Sequence, residues 1–395
     1  MTKLSPATDR MPRAVWALGF VSLLMDVSSE LIHSLLPVFM VTVLGTSMLT
    51  VGIIEGLAEA MALIVKVFSG VLSDWFGKRK PLAVLGYALA AVSKPLFAIA
   101  DSIGLVLTAR LADRFGKGIR GAPRDALIAD IAPRHMQGAA FGLRQSLDTV
   151  GAFTGPLLAM GLMVLWANDF RAVFWVAVIP AVLAVALLAF GVREPDVPRS
   201  EKREFPIRRA NLRRLGSAYW WVVAVGSVFT LARFSEAFLV LRAQEGGLAI
   251  AFAPLVLVAM NVVYSLGAYP LGKLSDRVNR HALLAGGLVV LIVSDALLAL
   301  SSTGPLLWAG IALWGLHMAM TQGLLAAMVA GNAPDDLRGT AFGVFNLASG
   351  IALLAASALA GWLWDAYGAS VTFWCGAGLT ALALAGLLAR RPVMS

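Results

Sequence analysis

Charged side chains are scarce in this sequence. Asp, Glu, Lys and Arg together account for 14% of the 395 residues, whereas hydrophobic residues account for 59%. A soluble domain would have about a quarter of its residues charged, so this composition excludes an ordinary water-soluble fold. The apolar excess extends over the whole chain and leaves room for about twelve helices of about 20 residues each. The sequence therefore predicts an all-α, multi-pass membrane protein.

Cysteine is nearly absent, and so are the sequence motifs of catalysis. Cys375 is the one cysteine of the chain, so no internal disulfide can form. The sequence has no phosphate-binding glycine loop, nucleophile triad or Cys/His metal spacing. We therefore expect neither an enzyme nor an ATP-driven pump, and no cofactor. We also expect no cleavable signal peptide, because the first apolar run is too long to be a signal core.

Basic residues are in excess and unevenly placed. The formal net charge is +9, and the cations concentrate in the terminal segments and in the turns after even-numbered apolar runs, such as Lys78–Lys80. Turns after odd-numbered runs are nearly free of them. Because cationic loops remain in the cytoplasm, both termini are predicted to be cytoplasmic, in the plasma membrane (the inner membrane of a bacterium). This distribution serves membrane orientation, so it gives no reason to expect nucleic acid as a partner.

Two sequence motifs return about half a chain later. The stretch Gly70-Val-Leu-Ser-Asp74 returns as Gly272-Lys-Leu-Ser-Asp276, 202 residues downstream. The dipeptide Ala132-Pro133 and the Gly-x-Ala-Phe-Gly that follows it return with Ala333-Pro334, 201 residues downstream. Two matches at nearly one spacing indicate a duplicated half in parallel orientation.

The duplication predicts two six-helix bundles related by a pseudo-twofold axis. The first bundle is assigned to residues 1–192 and the second to residues 217–395. Between them, residues 193–216 are basic and contain three prolines, which is typical of a cytoplasmic linker lying on the anionic inner leaflet. The first apolar run of each half, at 14–43 and 217–243, is read as one unbroken helix.

Three motifs make the sequence similar to the major facilitator superfamily over essentially its full length. The first resembles that family's loop between helices two and three and consists of Gly70, Leu72, Asp74, Gly77, Lys78 and Arg79. In helix four, Arg114-Phe-Gly-Lys117-Gly118 is similar to the family's Arg-x-x-Gln-Gly pattern. In helix five, Gly151-Ala-Phe-Thr-Gly155-Pro156 resembles the Gly-x-x-x-Gly-Pro signature of its exporting, proton-antiport branches. The resemblance implies two bundles around a central cavity that works by alternating access, in a monomer.

The loop after helix two is predicted to be part of a gate. A carboxylate at Asp74 can lie against the positive N-terminal end of a helix in the other half, or pair with a cation. Such a contact exists in only one of the two access states and therefore acts as a latch. Gly70 and Gly77 allow a close backbone approach and a tight turn. Arg79 and the repeated Asp276 are assigned to the same gate.

Helix one carries three ionisable side chains on one face. Asp26, Glu30 and His33 are spaced by four and then three residues, and such groups are costly in a membrane, so they should face a cavity or a partner. Clustered carboxylates favour proton binding, because like charges disfavour the ionised form. Three alternatives remain open: a proton or substrate site, a structural pairing with Arg or Lys on helix four, or a divalent metal site. Glu55 and Glu59 of helix two can join the cluster.

Arg114 and helix five complete the predicted site. By the resemblance, Arg114 is a cavity cation that pairs with acids and releases them as protons move. Gly151 and Gly155 lie one turn apart and let another helix approach closely, and Pro156 is expected to bend helix five. A closely packed bend of this kind would seal one end of the cavity.

The leading functional prediction is a secondary active transporter that exports a small molecule across the inner membrane in exchange for protons. Its partners are then the substrate, protons and the lipid bilayer. Cations in helices three to five favour a second hypothesis, the uptake of an anionic metabolite. A third hypothesis is export of a divalent metal or metal chelate through Asp26, Glu30 and His33.

We expect Asp74→Asn to abolish transport while the protein still folds and inserts, because the amide lacks the charge that a latch needs. The measurement is transport in proteoliposomes, with the yield and thermal unfolding of the purified variant as the check on folding. Transport at the wild-type rate would contradict the latch.

Overall fold

The computed structural model describes residues 11–76, 78–194, 212, 214–275, 278–334 and 337–389. These residues form helices joined by short turns, with no β-strand among them. Gly77 and Asp276 of the predicted gate, and most of the predicted linker, fall outside the described residues. The boundaries at 193–216 therefore stay a prediction.

The described part of the first half contains seven α-helices that make six spans, because α1 and α2 together cross once. The helices are α1 (Arg13–His33), α2 (Leu36–Thr42), α3 (Met48–Phe76), α4 (Lys80–Ala98), α5 (Ile103–Ile131), α6 (Gln137–Leu165) and α7 (Phe170–Gly191). A single 3₁₀ turn, Arg134–Met136, leads from α5 into α6.

The described part of the second half repeats this arrangement, with α8 and α9 together forming its first span. The helices are α8 (Ser217–Ala232), α9 (Ala237–Glu245), α10 (Pro254–Ser275), α11 (Arg280–Leu300), α12 (Gly304–Gly331), α13 (Arg338–Tyr367) and α14 (Ala369–Ala389). A 3₁₀ turn, Ile250–Phe252, precedes α10.

Most membrane-spanning helices are apolar enough to lie in hydrocarbon without charged partners from neighbouring helices. Among the described residues, ten stretches have the length and composition of membrane-crossing helices. Helix α5 is not one of them, although it has 29 residues. It carries eight charged residues, so it needs partners from neighbouring helices to lie in the membrane.

Helix packing shows the pseudo-twofold relation directly. In the first half, α1 packs against α6 and α7, α3 against α5, and α4 against α5 and α7. In the second half, α8 packs against α13 and α14, α10 against α12, and α11 against α12 and α14. Each pair of the first set corresponds to one of the second. The halves meet along α3 with α13 and along α6 with α10, contacts that the same axis exchanges. The predicted pair of related bundles is confirmed.

The first span of each half is broken into two helices, which differs from the unbroken helices expected at 14–43 and 217–243. Helix α1 ends at His33, because the ring of Pro37 at the start of α2 clashes with the carbonyl four residues before it. Helix α8 ends at Ala232 and α9 begins at Ala237. Ser34 and Ser235 occupy the two breaks, 201 residues apart. Apolar periodicity continues through both breaks and therefore conceals them.

Close backbone contact joins α3 to α13 at the end of the molecule opposite the α3–α4 turn. A Cβ atom on Gly52 would lie 2.0 Å from the carbonyl oxygen of Ser357, and one on Gly361 would lie 2.2 Å from that of Met48. Real Cβ atoms do not approach an oxygen so closely, so only glycine fits at either position. By the cation distribution, this closed end is the predicted extracytoplasmic one.

A carboxylate strengthens the same contact. The side chain of Asp365, near the end of α13, accepts hydrogen bonds from the backbone amides of Met48 and Leu49, both at 2.9 Å. These amides begin α3 and have no partner within that helix, so Asp365 caps a helix of the other half. A cap of this kind contributes about 1 kcal/mol, which is enough to bias two access states of similar energy.

We expect Gly52→Val to force α3 away from α13 and to open the predicted extracytoplasmic end. The measurement is the labelling rate of Met48→Cys by a membrane-impermeant maleimide, in a Cys375→Ser background that removes the native thiol. Labelling should become several-fold faster. Gly161→Val is the matched control, because a Cβ there meets nothing within 4 Å. Equal rates in both variants would contradict this role of the contact.

Candidate functional site

A polar cavity lies between the two halves, at the level of the two helix breaks. This central cavity has a volume of about 270 Å³. It is bordered by α1–α2, α3 and α5 from the first half and by the α8–α9 break, α10 and α13 from the second. The lining side chains include Glu30, His33, Glu55, Glu59, Arg110, Arg114, Lys117, Arg233, Phe234, Ser235, Glu236, Val240, Leu257 and Leu353.

A second, wider space continues from the central cavity toward the end that carries the α3–α4 turn. This inner vestibule has a volume of about 580 Å³ and shares Glu30, Glu59 and Lys117 with the central cavity. Its further lining residues come from α1, α3, α5, α6 and α10 and include Asp26, Lys66, Arg124, Arg144, Asp148 and Tyr264. Since the opposite end is closed by α3 and α13, the cavity faces the predicted cytoplasmic side.

A buried ion pair ties α4 to α5 beside the cavity. The ammonium group of Lys94 lies 2.7 Å from Asp113 Oδ1 and donates to Ser29 Oγ at 3.0 Å. Both members of the pair are almost completely buried, at 0% and 1% exposure. The second carboxylate oxygen of Asp113 lies 3.2 Å from His33 Nε2. The pair therefore positions the histidine at the end of α1.

Two further ion pairs join α5 to α3. Arg114 Nη2 lies 3.0 Å from Glu59 Oε1, and Arg110 Nη2 lies 2.5 Å from Glu55 Oε2. Arg114 Nη2 also lies 3.2 Å from His33 Nδ1. Arg110 Nη2 also lies 3.8 Å from Glu59 Oε1. A continuous chain of polar contacts thus runs from Lys94 on α4 to Glu55 on α3, through residues of α5 and α1. These contacts explain how the most charged helix lies inside a membrane.

The contacts of His33 assign its protonation state. A guanidinium group has donors and no acceptor, so Arg114 must donate to His33 Nδ1. The proton of the neutral ring is then on Nε2, the nitrogen that faces Asp113. Glu30 Oε1 lies 3.9 Å from the same Nδ1 atom. His33 Nδ1 therefore accepts a hydrogen bond from Arg114 in this state, and Glu30 is the nearby acid that could accept from the same nitrogen if it carried a proton.

Helix α6 holds the acidic face of α1 in place. A Cβ atom on Gly151 would lie 2.9 Å from the Cβ of Asp26, and one on Gly155 would lie 2.7 Å from the Cβ of Glu30. The two glycines predicted to allow a close helix approach thus lie against the predicted acids. Pro156 is buried inside α6, which continues without interruption to Leu165.

The predicted proton site separates into two levels. Glu30, His33, Glu55, Glu59 and Arg114 all line the central cavity, whereas Asp26 lies one turn away in the inner vestibule. Within the described ranges, no group of three or more His, Cys, Asp or Glu side chains is arranged to hold a metal ion. The arrangement therefore gives no support to a metal site at Asp26, Glu30 and His33.

The gate residues are described only in part. Gly70 and Asp74 belong to the last turns of α3. Arg79 precedes α4 and forms an ion pair with Asp130 of α5 at 2.7 Å. Its backbone amide donates to Glu194, at the end of the first half. These contacts of Arg79 all lie within the first bundle, so they tie the loop to its own half.

Sequence reasoning missed several residues in and beside the cavity. Lys94, Asp113 and Arg110 were noticeable as charges, but their pairing depends on which faces α4 and α5 turn toward each other. Arg233 and Glu236 flank the break in the second half. The 201-residue spacing that relates Ser235 to Ser34, beside His33, could have marked this position.

Comparison with known proteins agrees with the fold. A family model described as Major Facilitator Superfamily matches residues 18–246 and again residues 237–394. The chain belongs to the major facilitator superfamily. An uncharacterized MFS-type transporter from Methanocaldococcus jannaschii, MJ1317, is 33% identical over 361 residues, which cover 90% of this chain and 89% of that protein. The prediction of a transporter of this superfamily is confirmed.

Two other similarities concern part of the sequence and the fold. The multidrug resistance protein MdtH of Yersinia pestis is 29% identical over 165 residues, covering 42% of this chain and 40% of MdtH. A crystal structure of a mutant of the nucleoside transporter NupG matches with a TM-score of 0.78 at 14% identity, covering 95% of this chain and 99% of NupG. At that identity the match shows the fold alone.

We expect Asp113→Ala to destabilise the protein strongly, by about 3–5 kcal/mol, because it leaves Lys94 as an uncompensated buried cation. The double variant Lys94→Met/Asp113→Leu removes both charges and should recover most of that stability. Thermal unfolding in detergent measures the difference, with the exposed Lys273→Met as control. If Asp113→Ala unfolds at the same temperature as wild type, this ion pair does not stabilise the first bundle.

Proposed function

We propose that this protein is a proton-driven exporter of a small molecule across the plasma membrane, with both termini in the cytoplasm. The observation that carries the proposal is the shared nitrogen of His33. Arg114 donates to Nδ1 at 3.2 Å, which is the position that an incoming proton would take. Proton binding and the Arg114 contact therefore exclude each other.

Protonation changes the partners of the ring. The imidazolium has two donors and no acceptor, so Arg114 can no longer donate to it, and the two cations repel. Glu30 Oε1, at 3.9 Å, is then the nearest acceptor for the new N–H. The charged groups that face His33 from the surrounding helices are Glu30 on α1, Glu59 on α3, Lys94 on α4, and Arg110, Asp113 and Arg114 on α5.

Movement of Arg114 transmits this change to the interface between the halves. Arg114 already contacts Glu59 at 3.0 Å, and Glu59 belongs to α3. Helix α3 is also the helix that meets α13 at the closed end. A proton at His33 thus alters the forces on the helix whose contact separates one access state from the other.

The exchange of substrate for protons follows if the substrate binds to Glu30. The carboxylate lines both the central cavity and the inner vestibule, so it is accessible to a substrate entering from the open side. Once His33 is protonated, Glu30 becomes its partner and is withdrawn from the substrate. Competition of this kind gives antiport, in which substrate leaves on one side as a proton arrives from the other.

Two observations support export as the direction. The Gly151-to-Pro156 motif resembles the signature of exporting branches, and its glycines pack against the acids of α1. Part of the chain is also similar to MdtH, which is named a multidrug resistance protein. Uptake of an anionic metabolite would instead require a cavity of net positive charge, whereas acids and cations alternate on these walls.

The direction is tested with cells that express the protein and are loaded with a panel of radiolabelled small molecules. At least one compound should accumulate less than in vector cells, and a protonophore should abolish the difference. Increased accumulation driven by the proton gradient would overturn export. A difference that persists with the protonophore would overturn proton coupling.

We expect His33→Gln to lose gradient-driven export but to keep exchange of external for internal substrate, because exchange needs no change of protonation. Proteoliposomes measure both activities, by efflux that an imposed pH gradient drives and by counterflow without a gradient. His135→Gln, on an exposed turn, is the matched control and should keep both. Gradient-driven export at the wild-type rate in His33→Gln would refute the assigned proton site.

A further inference from the structure

We propose that the central cavity binds a small zwitterion, with its anionic group held by Arg233 and Lys117 and its cationic group held by Glu236 and Glu30. This inference rests on the proposed transport function and names the substrate class of the same site. The juxtaposition that carries it is one unpaired acid and one unpaired cation on each of two facing walls.

The charges of the cavity divide into satisfied and unsatisfied groups. Besides His33, the lining contains four acids and four cations. Glu55 with Arg110, and Glu59 with Arg114, form direct ion pairs at 2.5 and 3.0 Å. Among the described residues, the remaining four have no Asp, Glu, Lys or Arg partner within 4 Å. They are Glu30 and Lys117 on the first half, and Arg233 and Glu236 on the second.

These four groups face one another across the cavity. All four line the same cavity, and Arg233 and Glu236 lie three residues apart at the break of the second half. The two walls belong to different halves, so a ligand that bridges them would contact both moving bodies. A substrate with this property can couple its own binding to the change of access.

Charge balance distinguishes the possible ligands. A purely anionic ligand would meet Glu30 and Glu236 without compensation, and a purely cationic one would meet Lys117 and Arg233. A neutral ligand would displace water from these groups without offering a charge to any of them. A molecule that carries one charge of each sign satisfies an acid and a cation at once.

The break in the seventh span is built to present its two charged residues. The amide of Ser235 donates to Ser357 Oγ of α13 at 3.2 Å, and the amide of Ala237 donates to Ser235 Oγ at 3.3 Å. These bonds hold in place the irregular segment from Arg233 to Glu236, which lies at membrane depth between α8 and α9. Irregular backbone is stable there only beside a cavity or within protein.

Size and apolar surface narrow the class further. The volume of about 270 Å³ is below the range of about 300–1,000 Å³ that is typical of drug-sized ligands. Part of the wall is apolar and is formed by Phe234, Val240, Leu257 and Leu353. The cavity therefore suits a compact zwitterion with a modest apolar group, such as an amino acid or a molecule of similar form.

Binding to the purified full-length protein tests the inference without a pH gradient. The probes are matched triplets: leucine with leucinamide and N-acetylleucine, and the same three forms of phenylalanine and of glycylleucine. In each triplet the amide keeps the cation and the N-acetyl form keeps the anion. We expect at least one zwitterion to bind at least tenfold more tightly than both of its singly charged forms, by equilibrium dialysis. Absence of such a preference in every triplet overturns the inference.

Two variants should each weaken one of the two preferences and leave the other in place. Glu236→Gln should lower the preference for the zwitterion over its N-acetyl form several-fold, because one of the two acids that hold the cationic group is lost. Arg233→Gln should lower the preference for the zwitterion over its amide several-fold, because one of the two cations that hold the anionic group is lost. Glu245→Gln, on the same span but outside the cavity, should keep both wild-type preferences. Wild-type preferences in both cavity variants would also overturn the inference.

The binding experiment and the export experiment test the substrate class and the direction of transport independently. A zwitterion that binds with the expected preference but is taken up would refute export and keep the substrate class. A protein that exports another compound with proton coupling, while no triplet shows the preference, would refute the substrate class and keep the exporter.

Discussion

The structure depends on neutralising the charges of α5 inside a membrane. Eight charged residues on one span cannot face lipid, because each unpaired charge at that depth costs several kcal/mol. The first bundle solves this by surrounding α5 with α1, α3 and α4, which supply His33, Glu59, Glu55 and Lys94 as partners. The helix that is least compatible with lipid thereby becomes the centre of the site.

Much of the fold follows from the sequence because membrane insertion imposes few solutions. The low charge and the twofold repetition of the sequence predict two related bundles of membrane helices. The cations on one side predict how these bundles are oriented in the membrane. The acidic face of α1 was expected to face a cavity or a partner because ionisable groups in a span are costly, and the cavity position of Arg114 was expected from the family resemblance. The glycines of α6 were assigned a close approach before their partner helix was known, and they contact α1 at Asp26 and Glu30.

The other features of the fold and the site could not be predicted, because they depend on how the helices pack in three dimensions. The breaks at Ser34 and Ser235 interrupt runs that are apolar on both sides, so a hydropathy profile does not reveal them. The pairing of Lys94 with Asp113 depends on how α4 and α5 are rotated about their axes, and helical spacing gives no rotation. The contact of Gly52 with Ser357 joins residues 305 positions apart, and an isolated glycine in a membrane helix has many uses other than a close approach.

In the proposed mechanism, coupling arises because the proton and the substrate use the same groups. Glu30 would accept from a protonated His33, and it would also be one of the two acids available to the cationic end of a substrate. Arg114 contacts both His33 and Glu59 of α3. Helix α3 in turn is capped by Asp365 of the other half at the closed end. If the proposed proton and substrate sites are correct, both ligands act on the helices that form the closed end, so the binding of either would alter the stability of that closed state.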